Sequence, residues 1–155
     1  MNIRLNNECL KKTTIIFWTF WWLIALWTDI TGALAHFKML NASWAPDINY
    51  SNLEHSLRMY NVPAWLSLVL FIGILVYSVI ATAFFCWASL GLRRDYKVWI
   101  NRANRAHIVA LTYWFLFFLA DQVVMKFDLE QNHMVQGGFQ LLTFFLLYLL
   151  PNDDI

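Results

Sequence analysis

The sequence predicts an all-α integral membrane protein, folded as an antiparallel four-helix transmembrane bundle. The 155-residue chain is 60% hydrophobic and only 14% charged, whereas soluble domains are about half apolar and about a quarter charged. Its apolar residues are gathered into four long runs, and runs of about 18 or more residues are typical of transmembrane helices. Neither an internal repeat nor a low-complexity linker divides the chain. We therefore expect a single membrane domain over residues 1–155.

The four predicted spans cover residues 13–35, 63–92, 106–125 and 134–150. We expect the first span to be retained rather than cleaved as a signal peptide, because its apolar run is longer than a signal core and contains four tryptophans. The second span opens at Pro63, where a missing backbone N–H has no cost. The fourth is the shortest, at the lower limit of spanning length.

The connection between the first two spans is the longest, and it predicts a short amphipathic helix. Ser51 and Glu54 fit a capping box with Ser51 as the N-cap. The apolar residues that follow at helical spacing are Leu53, Leu57 and Tyr60. We expect this helix to cover the bundle at the outer membrane surface, with Trp44 and Trp65 at the depth of the lipid headgroups.

Lysine and arginine residues predict the orientation of the spans. They concentrate in the N-terminal tail and between the second and third spans: Arg4, Lys11, Lys12, Arg93, Arg94, Lys97, Arg102 and Arg105. With four spans these two segments lie on one side of the membrane, so both termini are expected in the cytoplasm. Because no organelle-targeting segment is visible, a bacterial cytoplasmic membrane is the expected location, although an organelle-encoded protein would have the same features.

Two aspartates, Asp29 in the first span and Asp121 in the third, are the least expected residues of the chain. A charged side chain at the centre of a span costs roughly 2.5–3.5 kcal/mol on insertion scales, and such residues usually face the protein interior. Gln136 and Gln140 enter the fourth span from the same side. At 1.5 Å per residue, all four lie within roughly 10 Å of the outer boundary. The sequence therefore predicts an outward-facing acidic pocket lined by these four residues.

A metal ion is one candidate ligand of this pocket. His36 and His133 lie at its rim, and with the two aspartates they offer nitrogen and oxygen ligands for copper, zinc or iron. No diagnostic spacing such as HExxH is present, so the sequence specifies no cofactor. His107 is expected at the cytoplasmic start of the third span, in the headgroup region.

Structural interpretations of the same polar residues stay open. Asp29 can hydrogen-bond Thr28 or Thr31 within its own helix, or cap a neighbouring helix. Asp121 can pair with Lys126 or with Gln122. Either acid would then need no ligand. The Gly137-Gly138 pair is interpreted as a notch in the fourth span that accommodates the third.

A short motif resembles a known family. Asp29, the long outer connection and Pro63-Ala64-Trp65 are similar to the EXPERA group of four-span sterol-isomerase and sterol-binding proteins. The similarity covers less than half of the chain. Where that group has an acid in its second span, this chain has only apolar residues, Gly73 and Ser or Thr. The resemblance implies an amphiphilic ligand with its polar head near the aspartates, and it does not extend to isomerase activity.

Aromatic residues and missing motifs guide the functional prediction. Thirteen Phe and nine Trp give more rigid apolar surface than a compact core needs, so some must face lipid or another protein. Motifs for nucleophilic catalysis and phosphate binding are missing, and a net charge of +1 gives no sign of a nucleic-acid partner. Transport is disfavoured because the polar residues form no inner half-channel.

The predicted function is therefore that of an accessory or interaction subunit of a membrane complex. Its expected partners are the lipid bilayer and other membrane subunits or a second copy of the chain. The alternative is a binding protein or enzyme that takes a small cation, a metal or an amphiphile in the acidic pocket.

Overall fold

The structure, a computed structural model, describes residues 6–41 and 47–151. In these residues the chain forms five α-helices: α1 (Asn7–His36), α2 (Asn49–Leu57), α3 (Ala64–Leu90), α4 (Tyr96–Val123) and α5 (Phe127–Leu149). A 3₁₀ turn, Arg58–Tyr60, continues α2. Within the described part of the chain, α1, α3 and α4 are long and apolar enough to cross a membrane. The protein is thus helical and integral to a membrane.

The helices α1 and α4 begin well before the apolar runs from which their spans were predicted. The side chain of Asn6 caps α1 by accepting hydrogen bonds from the backbone N–H groups of Glu8, at 2.8 Å, and Cys9, at 3.3 Å. The helix α4 begins at Tyr96, so Lys97 and the following basic residues lie on a helix and not in an irregular connection. An apolar run in the sequence ends at the first charged residues, whereas the helix that contains it can continue through charged turns.

The predicted capping box at Ser51 is wrong. The helix α2 already begins at Asn49, and Ser51 lies inside it. Asp47 takes the capping role, because its carboxylate accepts hydrogen bonds from the Ser51 backbone N–H, at 3.3 Å, and from the Ser51 hydroxyl, at 2.7 Å. Glu54 lies 3.7 Å from Arg58, one turn further on. Of the two predicted interfacial tryptophans, Trp65 is exposed, and Trp44 lies outside the described residues.

The segment formed by α2 and its 3₁₀ turn lies across the ends of three long helices. The buried ring of Tyr50 is 4.0 Å from the ring of His36 in α1 and 5.2 Å from the ring of Phe71 in α3, measured between centroids. At the other end of the segment, the Tyr60 hydroxyl donates a hydrogen bond to the backbone carbonyl of Val123, where α4 ends. The segment is therefore tied to α1, α3 and α4.

The helices α1 and α3 run in opposite directions. Along α1 and α3, the Thr19 hydroxyl meets the Ser89 hydroxyl at 2.7 Å, while Asp29 accepts a hydrogen bond from Ser78. The order of the partners is reversed, as it must be for an antiparallel pair. The helix α3 also packs against α4, and α4 packs against α5, whereas α1 and α5 touch only lightly.

The main core combines large aromatic side chains with small ones. Trp18 and Trp22 of α1 are buried against α4 and α5, and Trp99 closes the core near the start of α4. To the same core, α4 contributes fully buried alanines at i, i+3 and i+7: Ala103, Ala106 and Ala110. Small residues let membrane helices approach closely, and the indole rings fill the space that remains.

The glycine pair of α5 confirms half of the predicted notch. A Cβ atom on Gly137 would lie 2.9 Å from Trp114 Cβ and 2.9 Å from Phe118 Cζ, which is too close for real atoms. A Cβ atom on Gly138 would meet nothing within 4 Å. Only Gly137 is therefore needed for the packing of α5 on α4.

This difference predicts opposite effects for the same substitution at adjacent positions. Gly137→Ala should destabilise the protein by about 1–3 kcal/mol, because overpacking pushes α5 away from Trp114. Gly138→Ala should be neutral or stabilising by up to about 1 kcal/mol, because alanine favours the helix and has room. Unfolding of the two variants in detergent, followed by circular dichroism, measures both. Equal stabilities would contradict the notch.

Candidate functional site

Asp29 is buried where three helices meet. Its side chain is 8% exposed, and each carboxylate oxygen has its own donor. Asn49 of α2 donates from Nδ2 to Oδ1 at 2.6 Å, and Ser78 of α3 donates from Oγ to Oδ2 at 3.3 Å. The threonines beside Asp29, Thr28 and Thr31, donate to backbone carbonyls of α1. Asp29 therefore joins α1 to α2 and α3, and does not bond within its own helix.

A second hydroxyl continues this network to α4. The Ser78 Oγ lies 3.4 Å from the Tyr113 hydroxyl oxygen. The buried Tyr113 ring packs against Trp22 at 5.1 Å and against Phe117 at 4.7 Å between centroids. The polar chain that begins at Asp29 thus ends in a layer of aromatic rings.

Asp121 has a different partner in a different place. Its side chain is 6% exposed, and its Oδ2 lies 2.5 Å from Nδ1 of His133 on α5. The two residues proposed as structural partners of Asp121 are engaged otherwise. The backbone N–H of Lys126 donates to the Asp121 backbone carbonyl, and Gln122 donates to Glu130. The His133–Asp121 pair therefore joins the ends of α4 and α5.

The two aspartates belong to separate polar clusters. The Phe117 ring lies 4.7 Å from the Tyr113 ring on one side and 4.5 Å from the His133 ring on the other. Aromatic rings thus stand between the cluster of Asp29 and that of Asp121. Within residues 6–41 and 47–151, no hydrogen bond or ion pair links the two carboxylates.

The two glutamines predicted for the pocket differ in burial and in hydrogen-bond partner. Gln140 is completely buried, and its Oε1 accepts a hydrogen bond from the Trp114 indole N–H at 2.7 Å. Gln136 is half-buried, and its Nε2 donates to Asn132 one turn away, at 3.1 Å. Only Gln140 joins the interior.

His36 forms a second histidine–aspartate pair, close to the start of α2. Its Nδ1 lies 2.5 Å from Oδ2 of Asp47. Partial burial alone would raise the pKa of Asp47, but hydrogen bonds from Ser51 and His36 and the charge of His36 outweigh it, so the pKa of Asp47 is lowered. The carboxylate therefore stabilises the fold above the usual aspartate pKa of about 3.9, and this contribution is lost as the pH falls through its lower folded value.

His36 and His133, the two predicted metal ligands, each face one carboxylate. In the part of the chain that the structure describes, no three His, Cys, Asp or Glu side chains are grouped to hold a metal ion. Metal binding at these histidines stays a prediction. A groove of about 120 Å³ lies under the end of α2, and neither aspartate lines it. Its lining consists of Glu54, Leu57, Arg58, Val62, Ala64 and Ser67.

His107 is not at a helix end, as the sequence predicted, but buried inside α4. The helix begins eleven residues before His107, at Tyr96. His107 therefore lies in the packed interior and not at the predicted helix terminus. Its Nδ1 donates to the Ala103 backbone carbonyl at 2.9 Å, and its ring lies between Phe85 and Phe144. The charged first turns of α4 concealed this placement.

Comparisons of the chain with protein-family models, with curated proteins and with solved structures found no match.

The His133–Asp121 pair should couple α4 and α5 energetically. Replacing either partner alone, by Asp121→Leu or His133→Phe, leaves a buried polar group unpaired, while replacing both removes the problem. We expect a coupling free energy of about 1.5–3 kcal/mol in a double-mutant cycle measured by unfolding in detergent.

A control pair joins the same two helices at the surface. Gln122 donates to Glu130 at 2.6 Å in an exposed position, so the cycle of Gln122→Leu with Glu130→Leu should give no more than about 0.5 kcal/mol. Equal coupling in both cycles would show that burial adds nothing to the His133–Asp121 pair.

Proposed function

We propose that this protein is an accessory or interaction subunit of a membrane complex, in which all four long helices cross the bilayer and both termini are cytoplasmic. Three features of the described residues support the proposal: the distribution of polarity on α5, the position of the basic residues, and two glycines without a packing role inside the chain. The glycines carry the functional part.

The proposal makes α5 the fourth span, although it is less apolar than the other three. Its polar residues Gln140 and Thr143 are buried against α4 and α1, and the His133 side chain is mostly covered. Its exposed side chains in the same stretch are apolar or aromatic: Met134, Val135, Phe139, Leu142, Phe145, Tyr148 and Leu149. Polar residues that face the protein lower the mean hydropathy without contacting lipid. With 23 residues, α5 is about 34 Å long, enough for a hydrocarbon core of about 30 Å.

The basic residues support the proposed orientation. Lys12, near the start of α1, lies 5.7 Å from the ring centre of Trp99, near the start of α4. At the same end, the Arg102 guanidinium stacks at 4.7 Å on Trp87, near the end of α3. The ends of the protein that carry these cations therefore lie together, and cytoplasmic ends of membrane helices are enriched in Lys and Arg. In this orientation α2 lies at the outer surface.

The topology predicts where a reporter is active. A reporter that is active only in the cytoplasm should be active when fused after Pro151 and inactive when inserted after Asn41, in the connection between α1 and α2. Activity at both sites would contradict an even number of spans. Activity only at the Asn41 site would reverse the orientation.

Two glycines have no packing role among the residues that the structure describes. At Gly91 and Gly137, an added Cβ would collide with Arg102 or with α4. At Gly73 and Gly138, an added Cβ would meet nothing within 4 Å. Glycine in a helix interior costs about 1 kcal/mol relative to alanine. Close approach of a helix from another subunit would account for glycine at both positions.

The surface around Gly73 fits such an approach. Val69, Gly73, Val76 and Ile80 follow at i, i+4, i+7 and i+11 of α3, and all four are exposed. This stripe is flat and β-branched, and helices in membranes associate through packing of this kind because lipid gives no hydrophobic driving force. The hydrogen bonds of the buried carboxylates also support the proposal. Each carboxylate is bonded within the chain, which leaves it less capacity to bind a ligand in an acidic pocket.

Bulk at the open glycines should therefore abolish association and spare the fold. We expect the wild-type protein, purified in mild detergent without cross-linking, to remain with a stoichiometric membrane partner or a second copy. Gly73→Leu and Gly138→Leu should each lower the associated fraction by about tenfold, a change of about 1.4 kcal/mol, without lowering the melting temperature.

Ala120→Leu is the matched control, since it adds similar bulk to an exposed position of α4 and should preserve association. A wild-type protein that is monomeric and without a partner under these conditions would contradict the proposal, as would normal association of both glycine variants.

A further inference from the structure

Two N–H donors in the interior of the protein have no acceptor among the described residues. They are the indole Nε1 of Trp22 on α1 and the amide Nε2 of Gln140 on α5. The two residues are 1% and 0% exposed. A buried donor without a partner costs about 1–3 kcal/mol, and in a membrane no surrounding water is available to satisfy it. Two such donors in one core therefore need an explanation.

The orientation of the Gln140 amide is fixed by its neighbour. Its Oε1 accepts the hydrogen bond from Trp114 Nε1 at 2.7 Å. An indole nitrogen can only donate, so a flipped amide would set two donors against each other. The Nε2 group must therefore face away from Trp114, into the core.

The polar groups next to these two donors are already paired. The two other buried polar atoms without a partner, the acceptors Asn104 Oδ1 and His107 Nε2, lie about two to three turns before Trp114 on α4. Trp18 Nε1 donates to the Thr143 hydroxyl at 2.7 Å, and that hydroxyl donates to the Gln140 backbone carbonyl at 2.9 Å. What remains is the set of two donors at Trp22 and Gln140. Both lie beside Trp114, since the Trp22 ring centroid is 6.1 Å from that of Trp114 and Gln140 is bonded to it.

A site with donors only selects an acceptor without protons. A carbonyl oxygen has two lone pairs and no hydrogen to place, so it matches two N–H donors. A water molecule would bring two protons of its own into a region whose hydroxyl and backbone carbonyl are already engaged. A carboxylate or phosphate would need a compensating cation, since a buried charge is costly in an apolar region.

The seam between α1 and α5 offers a route from the lipid. These two helices touch more lightly than the other neighbouring pairs, and the seam is covered by Phe17 and Phe139. Both rings are about half exposed, and they meet edge to face at 5.9 Å. Behind them lie the rings of Trp18, Trp21 and Trp114. Rotation of the two phenylalanines would open the seam to a flat, apolar molecule.

We propose that Trp22 Nε1 and Gln140 Nε2 together bind the carbonyl oxygen of an apolar, bilayer-soluble molecule that enters between α1 and α5. The chemistry is that of a carbonyl on an apolar skeleton. A quinone or ketone dissolved in the bilayer supplies it, and so does the ester group of a lipid acyl chain. This site is independent of the association proposed above, because it uses the interior and neither Gly73 nor Gly138.

Quenching of tryptophan fluorescence by a decyl-substituted benzoquinone tests the site. The full chain is placed in nanodiscs of ether-linked phospholipid, which lack ester carbonyls, and the quinone is titrated. The wild-type protein should show two components of quenching. One is saturable and reports binding, and the other rises linearly because the quinone partitions into the bilayer. Trp22→Phe and Gln140→Leu should each raise the half-saturating concentration at least about tenfold.

Trp18→Phe is the matched control. It shrinks a neighbouring ring by the same amount but removes an N–H that already has an acceptor, Thr143. Its melting temperature should fall while its half-saturating concentration stays at the wild-type value. Equal weakening in Trp18→Phe and Trp22→Phe would overturn the proposal, because ring volume would then explain both.

A competition experiment on the wild-type protein needs no variant. The ketone 7-tridecanone should displace the quinone, and the alkane tridecane should not. Weaker quinone binding in ester-linked lipid would identify acyl esters as a competing occupant, and unchanged binding would identify a free ketone or quinone as the ligand. Linear quenching without saturation, or equal displacement by ketone and alkane, would overturn the proposal.

Discussion

A polar side chain buried among membrane helices must find its hydrogen-bond partner on a neighbouring helix, because neither lipid nor water supplies one. This requirement shapes the packing of the whole chain. Asp29 takes donors from α2 and α3, Asp121 meets His133 of α5, and Gln140 accepts from Trp114. Each bond crosses an interface between helices. The buried polar residues thus connect α1 to α2 and α3, and α4 to α5.

The aromatic core complements these bonds by keeping the two carboxylates apart. Like charges repel strongly at low dielectric, and two acids that share a site cannot both ionise easily. Tyr113, Phe117 and Trp114 occupy the space between the clusters of Asp29 and Asp121. Each carboxylate can therefore keep its own donors. The rings fit beside small residues, because α4 also contributes buried alanines to this core, and the same helix holds part of the aromatic layer.

Much of the helical architecture could be predicted from the sequence, because apolar runs and basic flanks follow from the membrane itself. The cost of a charge inside a span also indicated that Asp29 faces the protein interior, and the residue is buried. The partners could not be predicted, since they depend on the order of the helices around the core. Ser78 is one of several hydroxyl residues in an apolar helix, and nothing in the sequence distinguished it as the one that reaches Asp29. The burial of His107 was hidden because α4 begins in a charged segment that hydropathy assigns to a connection.

The partners of the two acids also lie close behind them in the chain. Asn49 follows Asp29 by 20 residues, and His133 follows Asp121 by 12. At a synthesis rate of about 5–20 residues per second, the first partner of each carboxylate is synthesised within a few seconds of the carboxylate itself. Ser78, the more distant donor, arrives when Asn49 is already available to Asp29. The linear order of the polar residues thus limits the time for which each newly synthesised acid is without its first partner.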